Sequence, residues 1–453
     1  MLDFFRAVAI WLVVLLAAQL VLRDQPRKVR DFAVMSVAGH LAATLGMAWL
    51  VVTQLGGDML RYEKDGAELA NLMWRDSRMV GEVMNLFLQV DHMLPRRLVG
   101  AGTSTGSMVA LSAFVTSIVG TGIIVVASVF SATSYLCRLL LFKVARRWFP
   151  TVRPDYVFFA IMLVPSVMVW SSGIFKEAVA VSGICLLIWG FDVLMARTRL
   201  FASAAAIFVG FSLVYLFKTF FLVPFALALG LQIYASRAAA RGGKKWSFGF
   251  GQLAFGAALG IFGLVALSSV VPQLSIQQLS EQASHLQQIG QSVRGGSSYS
   301  LTDILPNTAF EQMAYAPVAI FTSLYRPLLV EASNAIMVVN SLETTFLMVI
   351  SILLLRGRWS DRLAIVTRSP ALLFCLVFVL ATGLGVGLAT TNLGTLSRYR
   401  MPLVPLFSLI LVVLHSPAAV QTPARSAVRR RESLSLAPAS SIQPSGASRS
   451  LAP

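Results

Sequence analysis

The sequence predicts an all-α fold, a polytopic bundle of transmembrane helices, and three observations support this prediction. Hydrophobic residues make up 57% of the 453 residues, and charged residues only 13%. A soluble protein carries about 25% charged residues, so this chain lacks the charge to cover a water-facing surface. The apolar residues form long runs that are separated by short clusters of Lys and Arg. Lipid is therefore the expected solvent for most of the chain.

The apolar runs give the expected number of membrane spans. A spanning helix needs roughly 20 mostly apolar residues, and we count about eleven such stretches. They lie near residues 4–22, 33–55, 107–141, 156–170, 178–195, 201–216, 220–234, 248–270, 335–355, 371–389 and 403–414. The window 107–141 is long enough to contain a second membrane segment.

The basic clusters predict which loops share a side of the membrane. They lie near residues 23–30, 143–153, 197–199, 237–245, 356–362 and 429–431. The positive-inside rule places such clusters in the cytoplasm. The formal net charge of +17 is therefore better explained by topology than by nucleic acid, which is not an expected partner. Residues 1–415 form the predicted transmembrane domain, and the Ser-, Ala- and Pro-rich segment 416–453 is predicted to be a disordered cytoplasmic tail.

Two large loops are expected on the opposite, extracytoplasmic face, at about 56–106 and 272–333. Each contains apolar residues at helical spacing, which predicts an amphipathic helix in the membrane interface. The apolar positions are Leu69, Met73, Val80, Met84 and Phe87 in the first loop, and Leu279, Ala283, Leu286 and Ile289 in the second.

The first group of candidate site residues lies just after the second predicted span. Asp58 directly follows this span, and Tyr62 and Asp65 belong to the same segment. A carboxylate at the membrane surface can deprotonate an incoming hydroxyl if its pKa and reach are suitable. The alternative is a solvated turn in which the acids only cap a helix.

A second group lies in a tight hairpin between two spans. Its apex carries Ser171, Ser172, Lys176 and Glu177. Charges so close to hydrocarbon usually face a cavity or one another. Interfacial anchoring, with Glu177 capping the next helix, is the alternative. Lys218 lies between two later spans on the same face, and a lone Lys there most often extends its ammonium to water.

A third group leads into the span 335–355. Arg326 is followed by proline, and Glu331 could pair with it. Glu343 lies within the span. An acid inside the membrane is a candidate functional residue by default, although it could simply hold two helices together.

The last outward hairpin carries Asn392, Arg398, Tyr399 and Arg400. These two arginines violate the positive-inside bias. An anionic ligand such as a phosphate would explain their position, because guanidinium groups bind phosphate in a bidentate geometry. Binding of anionic lipid headgroups is the alternative.

No cofactor is predicted with certainty. The three cysteines lie in apolar runs without metal-ligand spacing, and the four histidines form no HxxH pattern. A divalent cation held by Asp58 and Asp65 stays open. The glycines of 383–387 indicate close helix packing rather than a phosphate loop.

The candidate residues together resemble the motifs of a known family. The segment Gly56-Gly57-Asp58 with Tyr62 resembles the first-loop acidic motif of GT-C glycosyltransferases. The segments 165–177, 326–331 and 392–400 resemble motifs of bacterial proteins of surface-polysaccharide assembly, including Wzy-like polymerases. The resemblance touches four short regions between about residues 56 and 402. The chain departs from the GT-C pattern because two spans, instead of one, precede Asp58.

The resemblance implies an enzyme of the bacterial inner membrane that uses a sugar linked to a polyprenyl phosphate or diphosphate. Its expected partners are this donor, a saccharide or lipid-linked acceptor, and the bilayer. Asp58 would be the general base, and five cations would hold the phosphate: Lys176, Lys218, Arg326, Arg398 and Arg400. The supporting residues would be Tyr62, Asp65, Ser171, Ser172, Glu177, Glu331, Asn392 and Tyr399.

Three alternatives remain open from the sequence. The first is a Wzy-like polymerase that transfers whole oligosaccharide repeat units. The second is a transporter or flippase of lipid-linked saccharides. The third is a non-catalytic membrane subunit, in which the outward charges would not share a cavity.

Overall fold

The computed structural model describes residues 2–99, 103–242, 275–292, 308–357 and 359–416, together with residues 249, 251, 298, 299 and 301. Within this part the chain is helical, and its only β-pairing is an isolated bridge between Ser298 and Asn392. In chain order the helices are α1 Leu2–Val21, α2 Arg27–Leu50, α3 Asp58–Arg75, α4 Arg78–Phe87, α5 Arg96–Val99, α6 Thr103–Val119, α7 Ile123–Trp148, α8 Pro154–Met162, α9 Pro165–Trp170, α10 Lys176–Met195, α11 Leu200–Lys218, α12 Leu222–Gly242, α13 Ile276–Ser292, α14 Ala309–Gln312, α15 Ala316–Tyr325, α16 Ala335–Leu355, α17 Trp359–Arg368, α18 Pro370–Ala389, α19 Leu393–Tyr399 and α20 Val404–His415.

Seven helical segments of the described chain are long and apolar enough to cross a membrane, and the bent pair α19–α20 would make eight. The seven are Leu2–Val21, Arg27–Gln54, Ile123–Trp148, Lys176–Met195, Leu200–Arg241, Met337–Leu355 and Pro370–Ala389. The all-helical membrane fold is thus confirmed, and the expected count of about eleven spans is not. The predicted span 248–270 lies almost entirely outside the described residues, and so does the predicted tail after residue 416.

The packing of α1 shows why these segments suit lipid. Its buried side is formed by Ala7, Trp11, Val14 and Ala18. On its other side, Leu16 and Leu20 are 65% and 69% exposed. Large exposed aliphatic side chains cost free energy in water, whereas lipid solvates them without this cost.

The segment Leu200–Arg241 is 42 residues long, about twice the length that one span needs. Its helix is interrupted at Lys218, whose backbone has φ −151° and ψ 62°. Beyond the interruption, the Phe225 ring lies 6.0 Å from that of Phe191, near the far end of α10. The helix is therefore broken at Lys218, between the two predicted spans 201–216 and 220–234.

The window 107–141 contains two helices, of which only α7 runs from one end of the bundle to the other. The start of α6 lies beside Lys176, which donates a hydrogen bond to Ser104. The turn after α6 packs against Asp3, in the first turn of α1, through Gly122. Both ends of α6 therefore lie at the end of the bundle that carries Asp58, which we call the Asp58 end.

The opposite end of the bundle, which we call the basic end, joins several of the basic loops by ion pairs. Lys28 contacts Asp155 at 2.9 Å, Lys143 contacts Asp24 at 2.9 Å, and Arg147 pairs with Asp192. The loops near 23–30, 143–153 and 192–199 are thus at the same end. This arrangement matches the shared sidedness that the sequence predicts for them.

Two interrupted segments bring helix ends into the bundle near the Asp58 end. Helix α8 stops before Pro165, where α9 begins, and α19 meets α20 at an angle of 70°. Helix α15 packs against α18 at Gly387, where any Cβ would overlap the carbonyl of Ala319. The predicted close packing is therefore confirmed at Gly383 and Gly387, whereas Gly385 faces open space.

The predicted amphipathic stretches are helical. Leu69 and Met73 of α3 are buried, while Val80 and Met84 of α4 are each 42% exposed. The second stretch forms α13, which spans Ile276–Ser292.

Candidate functional site

The charged residues at the Asp58 end converge on Glu177. This carboxylate is buried and lies 3.2 Å from the Lys218 ammonium and 3.3 Å from the Arg398 guanidinium. Arg398 also lies 3.9 Å from Asp58. Residues from α3, α10, α11 and α19 thus meet at one place. We call Asp58, Lys176, Glu177, Lys218 and Arg398 the outer cluster.

The helices present these side chains because each residue lies at a helix end. Asp58 begins α3, Glu177 is in the first turn of α10, and Lys218 and Arg398 are in the last turns of α11 and α19. Acids near a helix N-terminus and cations near a C-terminus interact favourably with the helix dipole. The local sequence therefore favours the same charge placement that the cluster uses.

Aromatic rings hold the two cations that contact Glu177. The Arg398 guanidinium lies 5.8 Å from the ring centre of Trp170 and 5.1 Å from that of Phe175. The Lys218 ammonium lies 3.7 Å from the ring centre of Tyr399. Such contacts stabilise desolvated cations, so Tyr399 supports the site by this contact.

Lys176 is the cation in excess within the outer cluster. Its ammonium donates to the hydroxyls of Ser104 at 3.1 Å and Thr105 at 2.8 Å, and it forms no ion pair within 4.0 Å with a carboxylate of the described chain. The outer cluster therefore has three cations and two carboxylates. A bound anion would balance this charge.

Tyr62 supplies a neutral group beside Lys176. The Lys176 ammonium lies 5.9 Å from the centre of its ring. Burial raises the pKa of the Tyr62 phenol, and the charges of Asp58 and Glu177 raise it further. The phenol therefore keeps its proton at neutral pH and can donate a hydrogen bond but not act as an anion.

The two acids of the first group have different surroundings. The Asp58 side chain is 60% exposed and faces the outer cluster. Asp65 lies further along α3 and pairs with Arg61 at 3.3 Å, so it does not join the cluster. Across the described ranges, no group of three or more His, Cys, Asp or Glu side chains is placed to hold a metal ion.

Arg400 and Arg326 lie in a second group, which we call the deep cluster and which consists of Ser166, Arg326, Glu331, Glu343 and Arg400. Glu343 accepts hydrogen bonds from the Ser166 backbone N–H and from its hydroxyl, both at 2.6 Å. Arg400 lies 3.7 Å from Glu343 and donates to the Arg326 carbonyl at 2.8 Å. The carboxylate thus caps the start of α9 and pairs with a guanidinium that is only 1% exposed.

Arg326 is likewise occupied. Its guanidinium pairs with Glu331, with an Nε–Oε1 distance of 2.9 Å, and lies 4.4 Å from the Tyr299 ring centre. Burial alone would raise the pKa of Glu331, but hydrogen bonds from Arg326 and from the Leu328 N–H hold it below its ordinary value. The deep cluster therefore has two cations and two carboxylates, and it is balanced without a ligand.

Tyr299 connects the second large loop to the hairpin after α18. Its hydroxyl lies 2.8 Å from that of Thr390, and its N–H donates to the Thr391 carbonyl at 2.7 Å. Burial raises the pKa of Tyr299 to about 12. The residue was not selected from the sequence, because a tyrosine in a long polar loop gives no specific signal.

Three predicted supporting residues shape the site without joining the outer cluster. Ser171 accepts a hydrogen bond from Arg138 at 3.1 Å, and Ser172 lies 3.3 Å from Ser131. Both serines therefore face α7. Asn392 caps α19 by accepting a hydrogen bond from the Gly394 N–H at 2.8 Å.

Sequence reasoning did not identify the fully buried Arg138 in α7. Its guanidinium lies 2.6 Å from Nε2 of His40, whose Nδ1 lies 2.7 Å from the Ser36 carbonyl. The Nδ1–H must donate to that carbonyl, so Nε2 accepts from the arginine. The signal in the sequence was a basic residue, Arg138, inside an apolar run. Arg138 supports the hairpin that carries Ser171 by donating a hydrogen bond to it.

The described residues line two cavities near this end of the bundle. An apolar groove of about 290 Å³ lies between α2 and α16 and is lined by residues including Gly46, Val339 and Val169 of α9. Val169 directly precedes Trp170, which contacts Arg398. A polar cavity of about 290 Å³ is lined by Lys218 of the outer cluster.

Comparison with protein-family models, with curated proteins and with solved structures finds no match to this chain. The chemistry of the site therefore has to be inferred from its own geometry. This geometry combines an exposed carboxylate, an excess of positive charge and an apolar groove at one end of a helical bundle.

Proposed function

We propose that the protein is an integral-membrane glycosyltransferase that uses a sugar linked to a polyprenyl phosphate or diphosphate at the Asp58 end of the bundle. One observation carries this proposal. The outer cluster has one exposed carboxylate and one cation in excess, and its Arg398 lies 5.8 Å from the ring centre of Trp170, whose chain neighbour Val169 lines an apolar groove. A lipid-linked anion has the two properties that such a site would select, a negative headgroup and a hydrocarbon chain.

The phosphate of the donor would bind at Lys176. This ammonium has hydroxyl partners only, so a phosphate oxygen could complete its coordination. Arg398 and Lys218 share Glu177 and would reinforce the positive potential. Charge-assisted hydrogen bonds to phosphate are stronger than those between neutral groups.

The hydrocarbon chain would follow the groove between α2 and α16. Gly46 is exposed there and has no atom within 4 Å of the position that a Cβ would take. The groove reaches Val169, next to Trp170 and hence next to Arg398. A chain in this groove would keep its headgroup at the outer cluster.

The reaction would use Asp58 as a general base. The carboxylate takes the proton of the acceptor hydroxyl, and the hydroxyl oxygen attacks the anomeric carbon of the donor sugar. The bond from that carbon to the phosphate oxygen breaks, and the electron pair leaves with the phosphate. The transition state has oxocarbenium character, and fixed cations stabilise the charge on the leaving group. Direct attack predicts inversion at the anomeric carbon.

The test compares two acids of the same helix. Replacing Asp58→Asn should lower the turnover of a polyprenyl-phosphate-linked sugar by about 10²- to 10⁴-fold, because a general base is lost. Its affinity for the donor should change little. The control Asp65→Asn should keep near-normal turnover, because Asp65 pairs with Arg61 outside the cluster. Full turnover in Asp58→Asn would rule out Asp58 as the base.

The interrupted helices support a second candidate, a flippase of lipid-linked saccharides. Discontinuous helices are typical of transporters, and α8–α9 and α19–α20 are both interrupted. Purified protein in liposomes would separate the two functions. A flippase moves the labelled donor between leaflets without a new glycosidic bond, whereas a transferase forms the bond. A ladder of products would identify a repeat-unit polymerase.

The same proposal includes an orientation in the membrane. The Asp58 end would face the outside of the bacterial inner membrane, and the basic end and the chain after α20 would be cytoplasmic. The support is the positive-inside rule together with the ion-paired basic loops at one end.

A further inference from the structure

The polar cavity beside Lys218 lies where several elements meet. It is bordered by Gln89 after α4, by Ser104 at the start of α6, by Lys218 and Thr219 at the α11–α12 turn, and by Leu279 and Gln282 of α13. Helix α13 belongs to the second large loop and forms one wall of this cavity. The amphipathic helix predicted to lie in the membrane interface therefore also covers a site.

The cavity lining is polar but carries a single charge. The Gln89 amide donates to the Ser107 hydroxyl at 3.1 Å and to the Leu216 carbonyl at 2.9 Å, so its position is fixed. The lining contains hydroxyl and amide groups, and it also includes the aromatic ring of Phe220. Hydroxyls, amides and ring faces are suited to a neutral ligand rich in hydroxyl groups.

Ser104 connects this cavity to the proposed phosphate position. It lines the cavity and also accepts a hydrogen bond from Lys176 at 3.1 Å. A ligand with its phosphate at Lys176 could therefore place the group attached to that phosphate in the cavity. The volume of about 290 Å³ is near the lower limit of small-molecule sites, which suits one sugar residue better than a long oligosaccharide.

We propose that this cavity binds the sugar of the donor and that Leu279 and Gln282 of α13 determine which sugar fits. The inference rests on the proposed function, because it assigns the phosphate to Lys176. It adds the location of the sugar and gives a role to a helix that carries none of the charged residues of the outer cluster.

The experiment measures two affinities by titration calorimetry with the full chain in detergent. The probes are a C10 prenyl phosphate and the same lipid carrying a hexose, taken from a panel of glucose, galactose, mannose and N-acetylglucosamine. The native protein should bind at least one sugar-bearing lipid about fivefold or more tightly than bare prenyl phosphate, as expected for one or two additional hydrogen bonds. Leu279→Trp should fill the cavity and abolish this difference while preserving the affinity for bare prenyl phosphate.

Two further variants keep the test informative. Leu286→Trp places the same ring on α13 where the native side chain is 43% exposed, and it should behave like the native protein. Gln282→Ala, which creates no steric conflict, should reduce the sugar-dependent difference and alter the preference within the panel. A difference that survives both Leu279→Trp and Gln282→Ala would overturn the inference.

The outcomes also separate this inference from the proposed function. If bare prenyl phosphate binds and no sugar adds affinity, the sugar site is wrong and the lipid-phosphate site stands. If neither lipid binds, titration with methyl hexosides decides the matter. Hexoside binding that Leu279→Trp abolishes would support the sugar cavity alone, and no binding of any probe would overturn both.

Discussion

The outer cluster and the deep cluster both combine basic side chains with carboxylates but differ in charge balance and exposure. The deep cluster pairs two arginines with two glutamates, and its Glu343 and Arg400 side chains are 4% and 1% exposed. The outer cluster has three cations for two carboxylates, and its Asp58 is 60% exposed. The sequence assigned Arg326, Arg398 and Arg400 to one phosphate site, whereas the structure divides them between these two groups.

This difference indicates that Arg400, at 1% exposed, is closed to a ligand, whereas Arg326 and Arg398, at 21% and 26% exposed, differ in the charge balance of their clusters. A buried guanidinium that already has a carboxylate gains little from a phosphate and would lose its partner by binding one. A cluster with excess positive charge gains from any anion that reaches it. We therefore interpret the deep cluster as a connection between α9, α16 and the α19–α20 turn, and the outer cluster as the binding site.

The largest expected effect is on the deep cluster. Glu343→Ala should lower the free energy of unfolding by about 3–5 kcal/mol, because it leaves the Arg400 charge buried without a partner. This change is measured by thermal unfolding in detergent, with loss of the monodisperse species as the signal. The double variant Glu343→Gln/Arg400→Gln should recover part of the stability. A stable Glu343→Ala protein that loses prenyl-phosphate binding would show that the deep cluster binds the ligand.

The next effect concerns the outer cluster. Lys176→Met should lower the affinity for C10 prenyl phosphate by about 10- to 100-fold, the loss expected for one charge-assisted hydrogen bond of roughly 1.5–3 kcal/mol. Thermal stability should change little. The control is Lys143→Met, since Lys143 pairs with Asp24 at the basic end. Equal affinity in the two variants would contradict the assignment of Lys176.

A smaller effect is expected from filling the apolar groove between α2 and α16. Gly46→Phe should fill the groove and raise the dissociation constant of long-chain prenyl phosphates several-fold, with less effect on free phosphate. The matched control is Gly230→Phe in α12, where a Cβ also meets nothing within 4 Å. If both variants bind the lipid normally, the chain does not occupy this groove.

The smallest effect concerns the pH dependence of the Arg326–Glu331 pair. The pKa of Glu331 is lower in the folded protein than its ordinary value of 4.5, so the pair stabilises the fold above that pH and loses this contribution as the pH falls through the folded pKa. Glu331→Gln should therefore lower the melting temperature by a few degrees at pH 7. Melting curves across an acid series should show this difference shrinking below pH 4.5. A difference that grows on acidification would contradict the sign.

The prediction of an individual helix succeeded where the composition of its own segment was enough to determine its structure. The apolar runs 4–22, 178–195 and 371–389 became helices long enough to span, because their composition leaves the backbone no other way to satisfy its polar groups in lipid. The spacing of Leu279 and Ala283 gave an amphipathic helix for the same local reason. The window 107–141 was ambiguous because two apolar helices in sequence resemble one long run.

The site was predictable only in part. Asp58, Lys176, Glu177, Lys218 and Arg398 were selected as charges in unusual positions, and they do lie together. Ser104, Thr105 and Tyr299 gave no signal, since hydroxyl groups in polar loops are common. Arg138 and His40 were each visible inside apolar runs, but 98 residues separate them, and no local pattern pairs residues across that distance.

The sequence by itself determined that this chain is a helical membrane protein with rare charges at the ends of its spans, because hydropathy and helix-end electrostatics act within a single segment. Only the tertiary structure decided which charges neutralise each other. Arg398 and Arg400 are two residues apart, yet the first contacts Glu177 and Asp58 and the second contacts Glu343. The reason is geometric: the partners come from other helices, and the packing of those helices determines which guanidinium is buried in the bundle and which stays partly exposed.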